Sequence, residues 1–504
     1  MRFPRYVLAT LFVFCAFAAN ARAEDDPPNY AAKVPASIVT PEKIDTRFGD
    51  LRFVHGLPDE DTVRLVYDRL DFSRGVEVFL AGIPTASVHA LCKGLESAGV
   101  APNRGIGIGE DLVDARTLLL TANSTTIYVG MCADLSQGPV VLEVPPGVLG
   151  PIDDAQFRFV ADVGMTGADK GKGGKYLLVP PGYTGALPKA GYHLARSRTF
   201  GNLIFYRAFV TDGDIDGAVQ NVKAHARIYP FAEAASPRPT TFVNFSGMRI
   251  NTVHANDFHF YEELDAVVQA EPEGAFDPET AGLFAAIGIR KGQPFEPDAR
   301  MKKLLEASVA IGNATARALV FAPRDGRAMF YPDRQWNTSF IGGSSEFLDG
   351  GARMLDARVM FHYMATGITP AMSASKVGAG SAYAFTARDA RGDYFDGSKT
   401  YRVTLPAPIP AAQFWSFTAY DNQTRSMLET DQKLAGLDSN QDDLQINADG
   451  SVTVWFAPSP PAGHESNWVQ TMPGKGWSTL LRLYGPLQPW LDKTWKPGDF
   501  ELVE

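Results

Sequence analysis

Cysteine is scarce in this chain: three residues, of which Cys15 falls in the amino-terminal apolar stretch and only Cys92 and Cys132 lie beyond it. A disulfide-dense framework is therefore excluded, and one bridge or two buried thiols stand as equal readings. Positive charge is also short, with 47 Lys and Arg against 57 Asp and Glu and a formal net charge of −10. Nucleic-acid binding needs a basic footprint, and no cluster of Lys and Arg supplies one. After the amino terminus no stretch approaches the roughly 20 uninterrupted apolar residues of a spanning helix, so no integral membrane segment is expected in the mature chain. Internal repeats and low-complexity tracts are missing too, which sets repeat architectures aside.

What is present begins with a leader. Arg2 and Arg5 precede an apolar run from Tyr6 to Ala19, and Ala21-Arg22-Ala23 is a small-x-small site. That order predicts a cleavable secretory signal over residues 1–23, a mature start at Glu24, and a periplasmic or secreted location. Phe12-Val13-Phe14 ahead of Cys15 lacks the small residues of a lipid-attachment site. Cleavage removes three arginines and no acid, moving the net charge from −10 to −13 and leaving 481 residues. That length accommodates two or three domains with cores of their own.

Residues 24–50 are proline-rich without a hydrophobic period and read as an extended arm. From Leu51 to Val100 the apolar spacing is helical. Short alternating runs then take over, as in Val140–Val144, Phe157–Val163 and Tyr176–Val179, punctuated by Pro-Pro-Gly at 145–147 and 180–182. These predict antiparallel sheet with tight turns. Helical patterns return at Ile215–Ile228, Phe258–Gln269, Met301–Leu319 and Leu355–Thr366, and strands at Tyr383–Thr386, Tyr401–Leu405, Phe414–Tyr420, a Leu444–Phe456 hairpin, and Ser478–Tyr484. The fold class is α+β and β-rich: two antiparallel sandwich or jelly-roll-like domains with a helical insertion between them. The divisions fall at 51–250 for the first domain with its leading helices, 251–370 for the helical connector and 371–504 for the second domain.

Several familiar patterns fail on their chemistry. Gly167–Lys175 is glycine- and lysine-rich but lacks the closing Gly-Lys-Ser/Thr and runs into a strand, which favours a hairpin tip over a phosphate loop. Ser373 and Lys376 fit S-x-x-K, without the companion elements of serine acyl-enzymes. His254 and His259 are five residues apart, not i and i+4, and no third ligand is evident. Asp438–Asp442 resembles the start of a calcium loop, but Asp443 occupies the position that needs glycine. No metal or cofactor is expected. Sequons at Asn123, Asn244, Asn313, Asn337 and Asn422 are incidental if the chain is bacterial.

Thr121–Gly130, Val140–Pro146, Tyr176–Tyr183 and Tyr206–Gly213 in the first half occur in order with Asp396–Val403, Phe414–Asp421, Asn447–Ser451, Ser466–Trp468 and Leu481–Tyr484 in the second. Together, over residues 100–500, they resemble a bacterial exported family that carries two domains of unknown function in tandem. The resemblance implies two β-rich domains joined through helices, and it implies no reaction. Segments 322–347 and 92–109 depart from the family's pattern.

Two functional readings follow. The stretch 378–397 gathers Asp389, Asp393 and Asp396 with Tyr383, Tyr394 and Phe395, residue types that turns recruit but that also stack on and bond to a polyol. As a binding module, the protein would hold a carbohydrate-like or other small polar ligand at the junction of its two β-rich domains, where pockets concentrate. Asn123, Thr126, Tyr128 and Arg207 in the first domain and Tyr383, Tyr394, Trp415, Tyr420, Asn467, Trp468 and Arg482 in the second are the candidate ligand-binding residues. As a hydrolase or lyase of glycoside type, it would draw a catalytic carboxylate pair from Asp389, Asp393 and Asp396. Arg482 stands out because Leu481 and Leu483 share one face of its strand and it projects to the other. Oligomeric state is not legible.

Overall fold

The computed structural model describes residues 34–374 and 376–503. The expected signal, its cleavage site and Cys15 lie outside them. Two compact units divide the chain after Tyr67.

In the first unit, Lys43–Thr46, Gly49–Val54 and Leu57–Pro58 form a three-stranded antiparallel sheet, where the sequence pattern predicts an arm and then a helix from Leu51. The turn explains the difference. His55 and Gly56 both take positive φ, 50° and 81°, the two-residue geometry that closes a tight hairpin. The helix starts only at Glu60, after Asp59, whose carboxylate accepts from the Thr62 amide as an N-cap does.

The second unit is α+β and β-rich, with mainly antiparallel sheets. Most of the helix Glu60–Ser97 belongs to it, and Val78, Phe79, Ile83, Leu91 and Leu95 are buried there. Small residues permit close approach to the helix Ala299–Phe321. A Cβ added at Gly75 would lie 2.6 Å from the Ser308 hydroxyl, and one at Gly312 2.6 Å from the Phe79 ring. Cys92 is disulfide-bonded to Cys132, which pins this helix to the strand Thr126–Asp134. By length and composition both helices are apolar enough to cross a membrane, a test that core helices of soluble proteins also pass. Polar residues interrupt them, so a search for unbroken apolar runs misses both.

A six-stranded sheet runs in the order Thr241–Asn244, Gly105–Ile108, Thr126–Asp134, Gly201–Phe209, Val148–Asp154, Phe159–Gly164. At its centre 126–134 and 201–209 pair over nine residues. Phe157, expected to open a strand, instead occupies a turn at φ 53°. A four-stranded sheet, His193–Arg196, Gly174–Val179, Val140–Val144, Arg227–Pro230, accompanies it. The glycine-rich 167–175 segment links these two sheets, where a simple hairpin tip is expected. Asp169 organises it by accepting from the Gly164 and Gly173 amides and the Tyr176 hydroxyl.

His259–Ala270, Pro278–Ala286, Ala299–Phe321 and Leu355–Met364 supply the helical part, with Asp277 and Asp298 as N-caps. Beyond it are two four-stranded sheets, one containing Ser381–Thr386, Trp477–Tyr484, Trp415–Asp421 and Gly436–Asp438, the other Trp468–Gln470, Val452–Ala457, Thr400–Leu405 and Glu501–Val503. Trp477 of the first stacks 4.9 Å from Phe456 of the second and 4.2 Å from Phe395, so an aromatic core joins the layers. Of the expected 444–456 hairpin only the turn at 447–451 and the return strand form. The approach segment is held by Asn467, which accepts from the Gln445 amide and donates to its carbonyl.

Candidate functional site

Strand register places the key side chains. On the six-stranded sheet Arg207 pairs with Tyr128 on one side and Leu149 on the other, and Pro151 pairs with Asp162 on the edge strand. Ladder partners share a face, as do residues two apart on one strand. Tyr128, Phe205, Arg207, Leu149, Pro151 and Asp162 therefore project from one side. On the four-stranded sheet of the second half, Tyr383 opposes Arg482 and Phe385 opposes Leu480, with Asn337 bridged to Phe385. All of these residues line one cavity of about 210 Å³, which Leu119, Leu120, Phe340, Phe361 and Met364 line as well.

The loop that enters the cavity is built around Asn123. Its Oδ1 accepts from the amides and hydroxyls of Thr125 and Thr126, and its Nδ2 donates to the Tyr128 hydroxyl at 2.9 Å. Arg482, only 2% exposed, locks the preceding residues. Its Nη2 donates to the Thr121 carbonyl at 2.7 Å, the Ala122 carbonyl at 3.3 Å and the Tyr420 hydroxyl at 2.5 Å, and its Nη1 to the Thr418 hydroxyl at 2.9 Å. Tyr420 itself donates to the Ala122 carbonyl at 2.6 Å. Thr121 takes φ 47°, an uncommon conformation for a β-branched residue, and the guanidinium bonds its carbonyl directly.

Arg207 is placed differently. It keeps partial exposure while lining the cavity, where Tyr383, Tyr484 and Tyr128 surround it. Burial acts to lower the pKa of each arginine, but surrounding tyrosines outweigh it and the net direction is up, through Tyr383, Tyr484 and Tyr128 for Arg207 and Tyr420, Tyr484 and Tyr128 for Arg482. Both stay charged, and neither forms an ion pair among the described residues. Burial pushes Tyr128 up to about 12 against the pull of Arg207 and Arg482, so it is a neutral donor and acceptor.

Further polar groups line the cavity, among them Lys376, Ser339, Ser381, Thr369, Asp162 and Asn337. Burial raises Asp162 to about 6, opposed by the hydroxyls of Thr369 and Thr166. Its Oδ1 and that of Asn337, a residue 8% exposed, lack hydrogen-bond partners among the described residues. Taken over its whole exposed surface, the lining is nonetheless mainly apolar. Such a site is suited to charge neutralisation and orientation of a small molecule with an apolar body.

The candidate residues sort into three groups. Asn123, Tyr128, Arg207, Tyr383 and Arg482 meet at the cavity. Thr126 and Tyr420 stand behind it, bonded to Asn123 and Arg482. The other candidates lie elsewhere: Trp415 is buried against Phe417, Asn467 holds the 445 segment, Trp468 donates to the Ala457 carbonyl, and Tyr394 stacks on Arg388 at 3.9 Å. The three aspartates are not part of the cavity lining. Asp389 accepts from the Arg391 and Asp393 amides, Asp396 caps Ser398, and Asp393 is exposed.

Asp162 and Asn337 were not selected from the sequence. Asp162 shares strand parity with Val160, the same polar-among-apolar signal that marks Arg482. Asn337 sits in the 322–347 segment with no periodicity to reveal it. His254 is buried with Nδ1 2.8 Å from the Ala255 carbonyl, while exposed His259 pairs with Asp257. Among the described residues no group of three or more His, Cys, Asp or Glu is arranged to hold a metal ion.

Two family models match the chain in tandem. Residues 106–230 match "Protein of unknown function (DUF1254)" and residues 380–488 match "Protein of unknown function (DUF1214)". The first stretch supplies Tyr128, Leu149, Asp162 and Arg207 to the cavity and the second supplies Tyr383, Leu480 and Arg482. The crystal structure of the VPA0106 protein from Vibrio parahaemolyticus is similar at a TM-score of 0.53 and 16% identity, covering 86% of this chain and 100% of that one. That likeness extends to the fold alone. A crystal structure of an uncharacterized protein from Burkholderia cenocepacia aligns at a TM-score of 0.35 and 13% identity, over 87% of this chain and 96% of that one. No curated protein matches the chain.

Proposed function

We propose that this protein binds a small amphiphilic anion in the cavity between its two β-rich halves, with the anionic group on Arg207 and the apolar body against Leu149, Phe205, Phe340 and Phe385. The observation that carries this reading is Arg207: a charged guanidinium that keeps exposure to an apolar cavity without an ion-pair partner among the described residues. A charge facing an apolar cavity without a counter-charge is costly, and an incoming carboxylate supplies one in bidentate geometry. A sugar matches this lining less well, because its many hydroxyls would face carbon. The Cys92–Cys132 bridge favours an oxidising compartment, in keeping with an exported binding protein.

Calorimetric titration with hexanoate, octanoate and decanoate, against octanol and glucose, tests the reading. The expected result is saturable binding of octanoate at least about tenfold tighter than octanol, as one charge-assisted contact provides, with the preference lost in Arg207→Met. Equal affinity for octanoate and octanol, or tight binding of glucose alone, would refute it.

A further inference from the structure

We infer that the ligand is bipolar: beyond its anionic group and apolar spacer it carries an uncharged hydroxyl, which Asp162 holds at the far end of the cavity with Asn337 from the other sheet. This rests on the anion-binding reading of Arg207. Both walls of the cavity repeat one layout. On the first, a row containing Tyr128, Arg207 and Leu149 is followed by a row in which Pro151 pairs with Asp162. On the second, the pair Tyr383 and Arg482 is followed by Leu480, Phe385 and then Asn337. Each wall therefore passes from a cation–tyrosine row to an apolar row that ends on a polar group.

Each end group has an acceptor to offer, since Asp162 Oδ1 and Asn337 Oδ1 are buried without hydrogen-bond partners among the described residues, the hydroxyls of Thr369 and Thr166 acting on the Asp162 carboxyl as a whole. Buried acceptors in that condition are rare and favour a donor. Register also sets the span. Leu149 pairs with both Arg207 and Gly164, so Gly164 lies two strands from Arg207, and Asp162 is two residues along the same strand. Strand spacing and rise then put the Cα atoms of Arg207 and Asp162 about 12 Å apart. A single carboxylate cannot engage both ends, whereas a chain of several carbons between two polar groups can. A hydroxyl suits the site in both protonation states of a carboxyl raised to about 6: it donates to the ionised form and accepts from the neutral one.

The test compares octanoate with ω-hydroxyoctanoate and chain-matched nonanoate, by calorimetry on the full-length protein at neutral pH. The inference predicts that ω-hydroxyoctanoate binds about tenfold tighter than octanoate, the size expected of one hydrogen bond to a charged acceptor, and that nonanoate does not share the gain. Asp162→Asn, checked for an unchanged unfolding midpoint, should reduce the advantage several-fold, and Asn337→Ala should reduce it less. The wild-type comparison needs no variant to fold. Binding of octanoate with no gain from the ω-hydroxyl would overturn the inference and leave the anion reading standing. Absence of binding by all three acids would overturn both.

Discussion

Arg207 and Arg482 look interchangeable in the sequence, each a cation in an alternating strand, and in the fold each lies beside a tyrosine on the neighbouring strand. Their partners separate them. Arg482 donates to two backbone carbonyls and two hydroxyls and so fastens residues 121–122 to the second sheet. Arg207 lies among tyrosines, with no comparable set of backbone carbonyls and hydroxyls around its guanidinium among the described residues, and keeps exposure to the cavity. Burial alone therefore does not tell a cation committed to structure from one with donors left to offer; the number of acceptors already engaged does.

The largest effect expected is at Arg482. Arg482→Met leaves several buried acceptors without their donor and should cost about 3–5 kcal/mol in chemical denaturation, the range for breaking one side of a buried charged contact. A loss under about 1 kcal/mol would place Arg482 with Arg207 as a ligand group, since it would match an unconstrained site. Next in size is the Cys92–Cys132 bridge, whose second cysteine lies on the strand that carries Tyr128. Reduction, or the double Cys→Ser variant, should lower stability by about 2–4 kcal/mol. The same drop in an Arg482→Met background would show that the sheet under Arg207 is held independently of the Arg482 clamp.

A smaller, pH-dependent effect belongs to Glu271, which accepts from the Phe200 and Gly201 amides at the start of the Arg207 strand. Burial raises it from 4.5 to about 7. The folded chain thus holds that proton where the unfolded chain has released it, so its stabilising contribution is full below 4.5 and is lost as pH rises through about 7. Glu271→Gln should remove this dependence, so that the melting temperature of the variant relative to wild type rises between pH 5 and pH 8, roughly spanning the two carboxyl values. A difference independent of pH would mean that Glu271 is ionised in the fold throughout. Smaller still is Asp389→Ala, which should cost about 1–2 kcal/mol through two turn amides and leave octanoate affinity unchanged.

Much of the architecture was legible because periodicity reports burial. The alternating runs at 140–144 and 401–405 and the helical spacing at 301–319 became strands and a helix at those places. What was not legible depended on single backbone conformations or on partners remote in sequence. His55-Gly56 turned an expected helix start into a hairpin, and Asp169 turned an expected loop tip into a link between sheets. At the site, Tyr128, Arg207, Tyr383 and Arg482 could be picked out as polar residues in apolar strands. The dense polar and aromatic stretch 388–397 was the misleading case, since local composition does not show whether a carboxylate already serves a turn amide, as Asp389 and Asp396 do. Asn337 acquires its place only through a bridge to Phe385, nearly fifty residues away.

The division of labour between the two arginines is tested most directly by thermal unfolding of wild type, Arg207→Met and Arg482→Met, each with and without saturating octanoate. Arg207→Met should unfold within about 1 kcal/mol of wild type and lose the protection that octanoate gives. Arg482→Met, if it folds, should be strongly destabilised yet still be protected. Ligand protection that survives in Arg207→Met, or destabilisation of that variant as large as that of Arg482→Met, would contradict the account.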